Sequence, residues 1–247
     1  MTNINLHIIE ECKSTNSSLI KLANEGYPEG YSLLSIRQTC GKGTRKRRWV
    51  SIPGNLFLST LIRPNVEAMK LSQISIVFGL SLFQFIKSLG ISKDKIRIKW
   101  PNDILIESKK VSGILVERFD NFCVIGVGLN INFNPNDKNL DIQSTCLSNF
   151  IETSEFKLST LSSSLLNIFY KNYHIWLSHF LNPFLNQINS NLAFLNSKVN
   201  FNHNNIIKSG KIIGINSDGN LKILLNNNNH LYVTSSETII YKGNKCS

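Results

Sequence analysis

One segment limits the folds open to this chain: residues 71–89 are apolar on nearly every side and run into Gly90. A helix with a single apolar stripe can lie on a surface, but one that is apolar all round has to be enclosed. Glycine is the usual residue just past a helix end, because it enters the left-handed conformation without a Cβ penalty. Gln73 and Gln84 interrupt the run, so it falls short of the roughly 18–20 uninterrupted apolar residues of a membrane span. The reading is a central helix packed on a sheet.

Short β-type runs supply that sheet. They lie at 6–10, 32–36, 56–62, 96–100, 103–106, 110–117 and 123–128, the last four in quick succession. Strands that follow one another across tight turns pair antiparallel. Ser14-Thr15-Asn16 opens a short helix through Leu19, Ile20, Leu22 and Ala23, and each of the three can accept an orphan backbone N–H as an N-cap. Leu158, Leu161, Leu165, Phe169, Tyr173, Trp176 and Phe180 recur at helical spacing, with Pro183 just beyond. From about residue 196 short β-runs return, with Asn216-Ser217-Asp218-Gly219 as a hairpin turn. The class is α+β, with a mixed, largely antiparallel sheet packed with helices and a small C-terminal β-barrel. The expected division is residues 1–190 and 191–247.

Charge and cysteine content narrow the function. The formal net charge is +11, which suits anionic partners. Lysine and arginine are nevertheless spread along the whole chain, with one local concentration described below. Five cysteines without a CxxC pair fit neither a disulfide framework nor a zinc site. The N-terminus lacks the basic and apolar regions of a secretory signal, so the expected location is the cytoplasm, away from a membrane.

Four segments can carry chemistry. The first is the basic loop Gln38-Thr39-Cys40-Gly41-Lys42-Gly43-Thr44-Arg45-Lys46-Arg47-Arg48-Trp49. Its glycines permit close backbone approach, its cations suit phosphate, and its tryptophan offers a face to a base. It is not a Walker loop, which needs Gly-Lys followed by Ser or Thr. On composition alone, an ATP site, an RNA-binding loop and a solvated turn all remain open. The others are Lys99-Trp100-Pro101-Asn102-Asp103 between two strands, Lys110-Val111-Ser112-Gly113-Ile114-Leu115-Val116-Glu117, and Gly126-Val127-Gly128-Leu129-Asn130. Taken singly, each also reads as an ordinary turn, strand edge or bulge.

In this order and spacing, the four segments together resemble the catalytic domain of biotin–protein ligases, most strongly over residues 14–132. The resemblance implies a class II synthetase-like catalytic domain, an SH3-like C-terminal barrel, and biotin and ATP as substrates with Mg²⁺. It places biotin at Ser14, Thr15, Asn16, Gln38, Gly41, Lys42, Gly43, Thr44, Lys110 and Gly113. ATP falls at Arg47, Trp49, Asn102 and Asn130, with Trp49 over the adenine and Asn130 at its edge. Lys110 is the expected catalytic residue, stabilising charge on the α-phosphate, with Mg²⁺ carried near Asp103 rather than in a protein-only cage. The biotin carboxylate is then the nucleophile, and no serine, cysteine or histidine nucleophile is required. The implied acceptor is the biotin carboxyl carrier protein of acetyl-CoA carboxylase, served by a monomer or homodimer.

Three departures stand out against the family loop Gly-Arg-Gly-Arg-x-Gly-Arg-x-Trp. Lys42 replaces the first arginine, Thr44 the second and Lys46 the third glycine. The Ser-Thr-Asn segment lies close to the start of the sequence, leaving no room before it for the winged-helix domain of some members, so specific DNA binding is not expected. Two rival functions are a lipoate or octanoate–protein ligase of the same fold, and an RNA-binding module using residues 42–48.

Overall fold

The structure, a computed structural model, describes residues 2–135, 143–203, 206–234 and 239–240. Seven strands form the main sheet: β1 (Asn5–Cys12), β2 (Tyr31–Gln38), β3 (Leu56–Ile62), β4 (Ile96–Lys99), β5 (Asp103–Ile106), β6 (Lys109–Arg118) and β7 (Cys123–Leu129). Their order is β1-β2-β3-β7-β6-β5-β4. Only β1 and β2 pair parallel, joined through α1 (Thr15–Asn24); the other five pairings are antiparallel. The mixed, largely antiparallel sheet read from the sequence is therefore present.

The enclosed helix is α2 (Ile74–Ser88), preceded by a 3₁₀ turn, Lys70–Gln73. Eleven of its fifteen residues are buried, the state of a core helix. Gly90 follows with φ +101°. The long amphipathic helix is α3 (Leu158–His179), which packs on α2 with Phe78 and Phe169 ring centroids 4.7 Å apart. A short helix, α4 (Leu185–Ser190), follows Pro183; its six residues are too few to show a helical period, so it leaves no trace in the sequence pattern.

Alternation along the strands sorts the two faces of the sheet. Leu58, Ile62, Ile125 and Val127 point into the main core with α2 and α3, whereas Leu61 and Val124 pack under α1 with Leu19 and Ala23. Ser59, Gly126 and Gly128 have the parity of Leu61 and Val124, so they lie on the α1 face.

The C-terminal part is an antiparallel sheet of β8 (Lys198–His203), β9 (Ile206–Ile215), β10 (Leu221–Leu225), β11 (His230–Val233) and β12 (Ile239–Ile240), in the order β11-β10-β9-β8-β12. In β8 only Val199 and Phe201 are apolar. The 216–219 turn joins β9 to β10 as expected, with Gly219 at φ +85°. Val199, Phe201, Ile212, Leu221 and Ile223 enter the same core cluster as α2 and α3. Trp100 Nε1 donates to Gly219 O at 2.8 Å, and Gln73 Nε2 to Ser217 O at 3.1 Å. The small sheet is thus fastened to the turn that carries Asn102 and Asp103.

Candidate active site

A cleft of roughly 460 Å³, counting its open mouth, lies beside α1 on the face of the sheet away from α2 and α3. Ser14, Thr15, Asn16, Gln38, Lys42, Gly43, Thr44, Trp49, Asn102, Lys110 and Gly113 all line it. Residues from distant parts of the sequence therefore share one cleft.

Its floor is made by glycines. A Cβ at Gly126 would overlap Asn16 Oδ1, and a Cβ at Gly128 would overlap the Trp49 indole. At Gly113 it would lie 3.0 Å from Trp49 and 3.1 Å from Lys110 Nζ. Each strand glycine thus admits a side chain laid flat on the sheet, which is the close approach such glycines permit. Trp49 crosses the floor with its Nε1 buried and without a protein partner, and Lys110 Nζ stands 5.5 Å from its ring centroid.

The wall at α1 is a polar chain. Ser14 occupies the N-cap position but its side chain makes no cap bond. The orphan N–H of Thr15 instead donates to Gln38 Oε1 on β2 at 2.8 Å, with Thr15 Oγ1 3.1 Å from the same oxygen. The expected side-chain cap is thus replaced by a cross-strand amide. Ser59 Oγ lies 2.7 Å from Thr15 Oγ1 and 2.6 Å from Asn16 Oδ1. Asn16 Nδ2 donates to Glu117 Oε2 at 2.8 Å, and Gln38 Nε2 to Ser51 Oγ at 3.0 Å.

Opposite stands a cationic pair. Lys110 Nζ is 2.7 Å from Asp103 Oδ1 and Lys99 Nζ is 3.3 Å from Asp103 Oδ2, so one nearly buried carboxylate faces two ammoniums. Both of its oxygens already serve lysines, and the described residues contain no group of three His, Cys, Asp or Glu able to hold a metal. Mg²⁺ is commonly held by one or two carboxylates together with substrate phosphates rather than by an all-protein cage, and Asp103 offers one such carboxylate at the cationic side of the cleft.

The basic loop folds back over the pocket. Lys42 and Arg48 form an isolated antiparallel bridge, Gly43 N donates to Arg47 O at 2.8 Å, and residues Thr44–Lys46 form a 3₁₀ turn. Arg45 and Lys46 sit at φ +56° and +61°, in the region that favours glycine. Position 46 is where the family loop has one.

Three expected site residues do not line the cleft. Gly41 lies beneath the loop, its carbonyl accepting from Trp49 N at 2.9 Å. Arg47 is exposed. Asn130 is buried; its Nδ2 donates to Thr145 O at 3.0 Å and its Oδ1 meets no donor. Asn102 does line it, with Nδ2 donating to Ile114 O at 2.9 Å. Ser59 and Ser51 are additions that sequence reasoning misses, and Glu117, the end of the Lys110–Glu117 segment, gains a partner in Asn16 that the sequence does not assign. Ser59 alone leaves a trace, as a polar residue inside the buried run Leu56–Ile62.

A mixed sheet carrying a glycine-floored cleft, a polar wall and a flap of cations defines an enzyme that binds a polar organic acid beside an anionic co-substrate. The chain belongs to the Biotin/lipoate A/B protein ligase family, whose pattern matches residues 9–134. It is 31% identical over 222 residues to the bifunctional ligase/repressor BirA of Bacillus subtilis, covering 86% of this chain and 67% of that protein. It is 34% identical over 126 residues to the biotin–[acetyl-CoA-carboxylase] ligase of Paracoccus denitrificans, covering 48% of this chain and 51% of the relative. The fold superposes on the biotin protein ligase of Aquifex aeolicus in complex with biotin and ATP, with TM-score 0.83, 26% identity and coverage of 96% and 99% of the two chains.

Proposed function

We propose that the chain is a biotin–[acetyl-CoA-carboxylase] ligase that forms biotinyl-adenylate and passes the biotinyl group to a lysine of a carrier protein. The observation that carries the choice of acid is the proton count at the α1 wall. Ser59 Oγ is within hydrogen-bond distance of both Thr15 Oγ1 and Asn16 Oδ1 but has one proton to give. The proton of Thr15 Oγ1 faces Gln38 Oε1. Ser59 Oγ, Thr15 Oγ1 and Asn16 Oδ1 each keep a lone pair beyond these protein partners, so the wall can accept N–H donors from a ligand. The ureido ring of biotin has two; the dithiolane of lipoate and the chain of octanoate have none. Polar groups left unpaired reject such substitutes strongly.

The reaction needs no protein nucleophile. A biotin carboxylate oxygen bonds to the α-phosphorus of ATP, the α–β anhydride bond breaks, and pyrophosphate leaves. Lys110 meets the charge building on the α-phosphate, an electrostatic role worth several kcal/mol in a site shielded from water. The acceptor lysine amine, having lost a proton to solvent, then attacks the biotinyl carbonyl; the C–N bond forms, the C–O bond to phosphate breaks, and AMP leaves. The 41–49 flap orders over the adenylate and keeps water from the mixed anhydride. Mg²⁺ accompanies ATP as part of that substrate.

The biotin carboxyl carrier protein in the cytoplasm is the acceptor that fits this chemistry, with the enzyme a monomer or homodimer. ATP–pyrophosphate exchange with biotin, lipoate, octanoate or no acid tests the proposal. Biotin-dependent exchange is expected. Exchange with lipoate or octanoate alone would move the chain to the sister activity, and RNA binding through Arg45 and Arg48 without any exchange would refute catalysis.

A further inference from the structure

We propose that Glu117 is a positioning residue for biotin: it holds Asn16 with its carbonyl oxygen toward the acceptor cluster. The inference rests on the biotin reading above and assigns a task to a side chain that does not line the cleft.

Asn16 lies flat across three strands. Its Oδ1 meets Ser59 on β3, its amide passes over Gly126 on β7, and its Nδ2 reaches Glu117 Oε2 at 2.8 Å and Leu115 O at 3.4 Å on β6. Register explains the fit, since Gly126 is the partner of both Ser59 and Leu115. The bare Cα of Gly126 provides the space.

A primary amide has nearly the same shape when its oxygen and nitrogen are exchanged, so neighbours decide which end points where. Ser59 cannot decide, because a hydroxyl donates or accepts equally well. Leu115 O is 3.4 Å away, a long contact. The Glu117 carboxylate only accepts, and its charge strengthens the bond. It therefore draws the NH₂ group to β6 and turns the oxygen to β3, which makes the wall rich in acceptors. With a neutral amide at 117 the orientation is no longer imposed, and a turned Asn16 would set a donor against the ureido N–H groups.

Three enzymes test this by exchange kinetics: wild type, Glu117→Gln, and the double variant Asn16→Asp with Glu117→Gln. In the double variant the new amide at position 117 can donate to a carboxylate at position 16, so oxygen again faces Ser59 and the summed charge of the pair is kept. Glu117→Gln should raise KM for biotin about tenfold, leave KM for ATP and kcat within about twofold, and shrink the preference for biotin over a ureido-N-methylated analogue, the direction expected when a buried polar group loses its match to the substrate. The double variant should recover most of that preference. A Glu117→Gln enzyme with unaltered KM for biotin and unaltered preference would overturn the proposal, as would a folded double variant without recovery. If Glu117→Gln does not fold, Glu117→Asp, whose shorter carboxylate retracts from Asn16, is read in the same way. Absence of biotin-dependent exchange in wild type would instead remove the underlying reading.

Discussion

Lys110 Nζ stands 2.7 Å from Asp103 Oδ1, across the β5–β6 pair and beside a register shift between Ile104 and Leu105. Lys99 takes the other oxygen of the carboxylate. Asp103 is therefore a holder of cations: it fixes an ammonium at the pocket edge before any anion arrives.

Removing that ammonium should be costly. Lys110→Ala is expected to lower biotin-dependent pyrophosphate exchange by about 10²-fold or more, the scale seen when one transition-state charge donor is lost. Asp103→Asn keeps the shape but frees the lysine, and should lower kcat by about tenfold, in line with the sensitivity of rate to small misplacements. Near-normal exchange in Lys110→Ala would take Lys110 out of the mechanism.

Strain in the flap gives a second prediction. Lys46 holds φ +61°, and an L-residue there costs on the order of 1–2 kcal/mol relative to its ordinary conformations. Glycine escapes that cost, although it also loosens the open loop. Lys46→Gly should slow release of biotinyl-adenylate about threefold to tenfold, with Lys46→Ala unchanged. Chase of preformed, labelled adenylate measures it, and equal release from all three enzymes would show that the flap backbone does not govern retention.

Much of this architecture is legible in the residues. The enclosed run at 71–89 requires a helix inside the fold, and β5 at Asp103–Ile106 and β3 at Leu56–Ile62 keep the bounds their sequence patterns set. The site is legible only as a set, because each of its four segments has an ordinary explanation alone. Ser59 is not, and the role of Glu117 is not although its segment is, since both act through strand register: Ser59 and Leu115 meet at Gly126 only once β3, β7 and β6 are paired. Asn130 shows the opposite limit. Its motif marks it for the nucleotide, and only the structure shows its buried amide held on Thr145 O with Oδ1 left without a protein donor.

The link between the two sheets yields a third prediction. Trp100 Nε1 donates to Gly219 O inside the fold, Ser75 Oγ donates to Pro101 O at 2.9 Å, and Asn102 follows in the cleft. Gly219 has no room for a Cβ, with Ile76 Cδ1 2.9 Å from where one would stand. Trp100→Phe removes the donor and leaves a buried carbonyl unpaired, costing about 1–3 kcal/mol. A fall in Tm of a few degrees, together with a KM for ATP raised more than that for biotin, is expected. Unchanged Tm would mean that this hydrogen bond does not fasten the C-terminal sheet.

Alkaline pH should weaken the fold through groups that burial keeps protonated. The Cys123 thiol, at the start of β7, is pushed up from 9.0 to about 11, chiefly by desolvation, against a smaller lowering by Arg118. Burial also raises the phenols of Tyr170 and Tyr173 above the usual 10.0, and the nearby Glu29 carboxylate adds to it. In the unfolded chain these groups ionise at their ordinary values. Above about pH 9 the unfolded state therefore binds fewer protons than the folded one, and stability falls as pH rises. The thiol's contribution is whole below pH 9 and lost as pH rises through about 11, amounting to about 2–3 kcal/mol at one pKa unit per 1.36 kcal/mol. Urea denaturation at about pH 8, 9, 10 and 11 should show a plateau and then a decline. Cys123→Ala has no thiol to ionise, so its decline should begin nearer pH 10, where the tyrosines take over. Parallel curves for the two proteins would show that Cys123 ionisation does not set the alkaline limit.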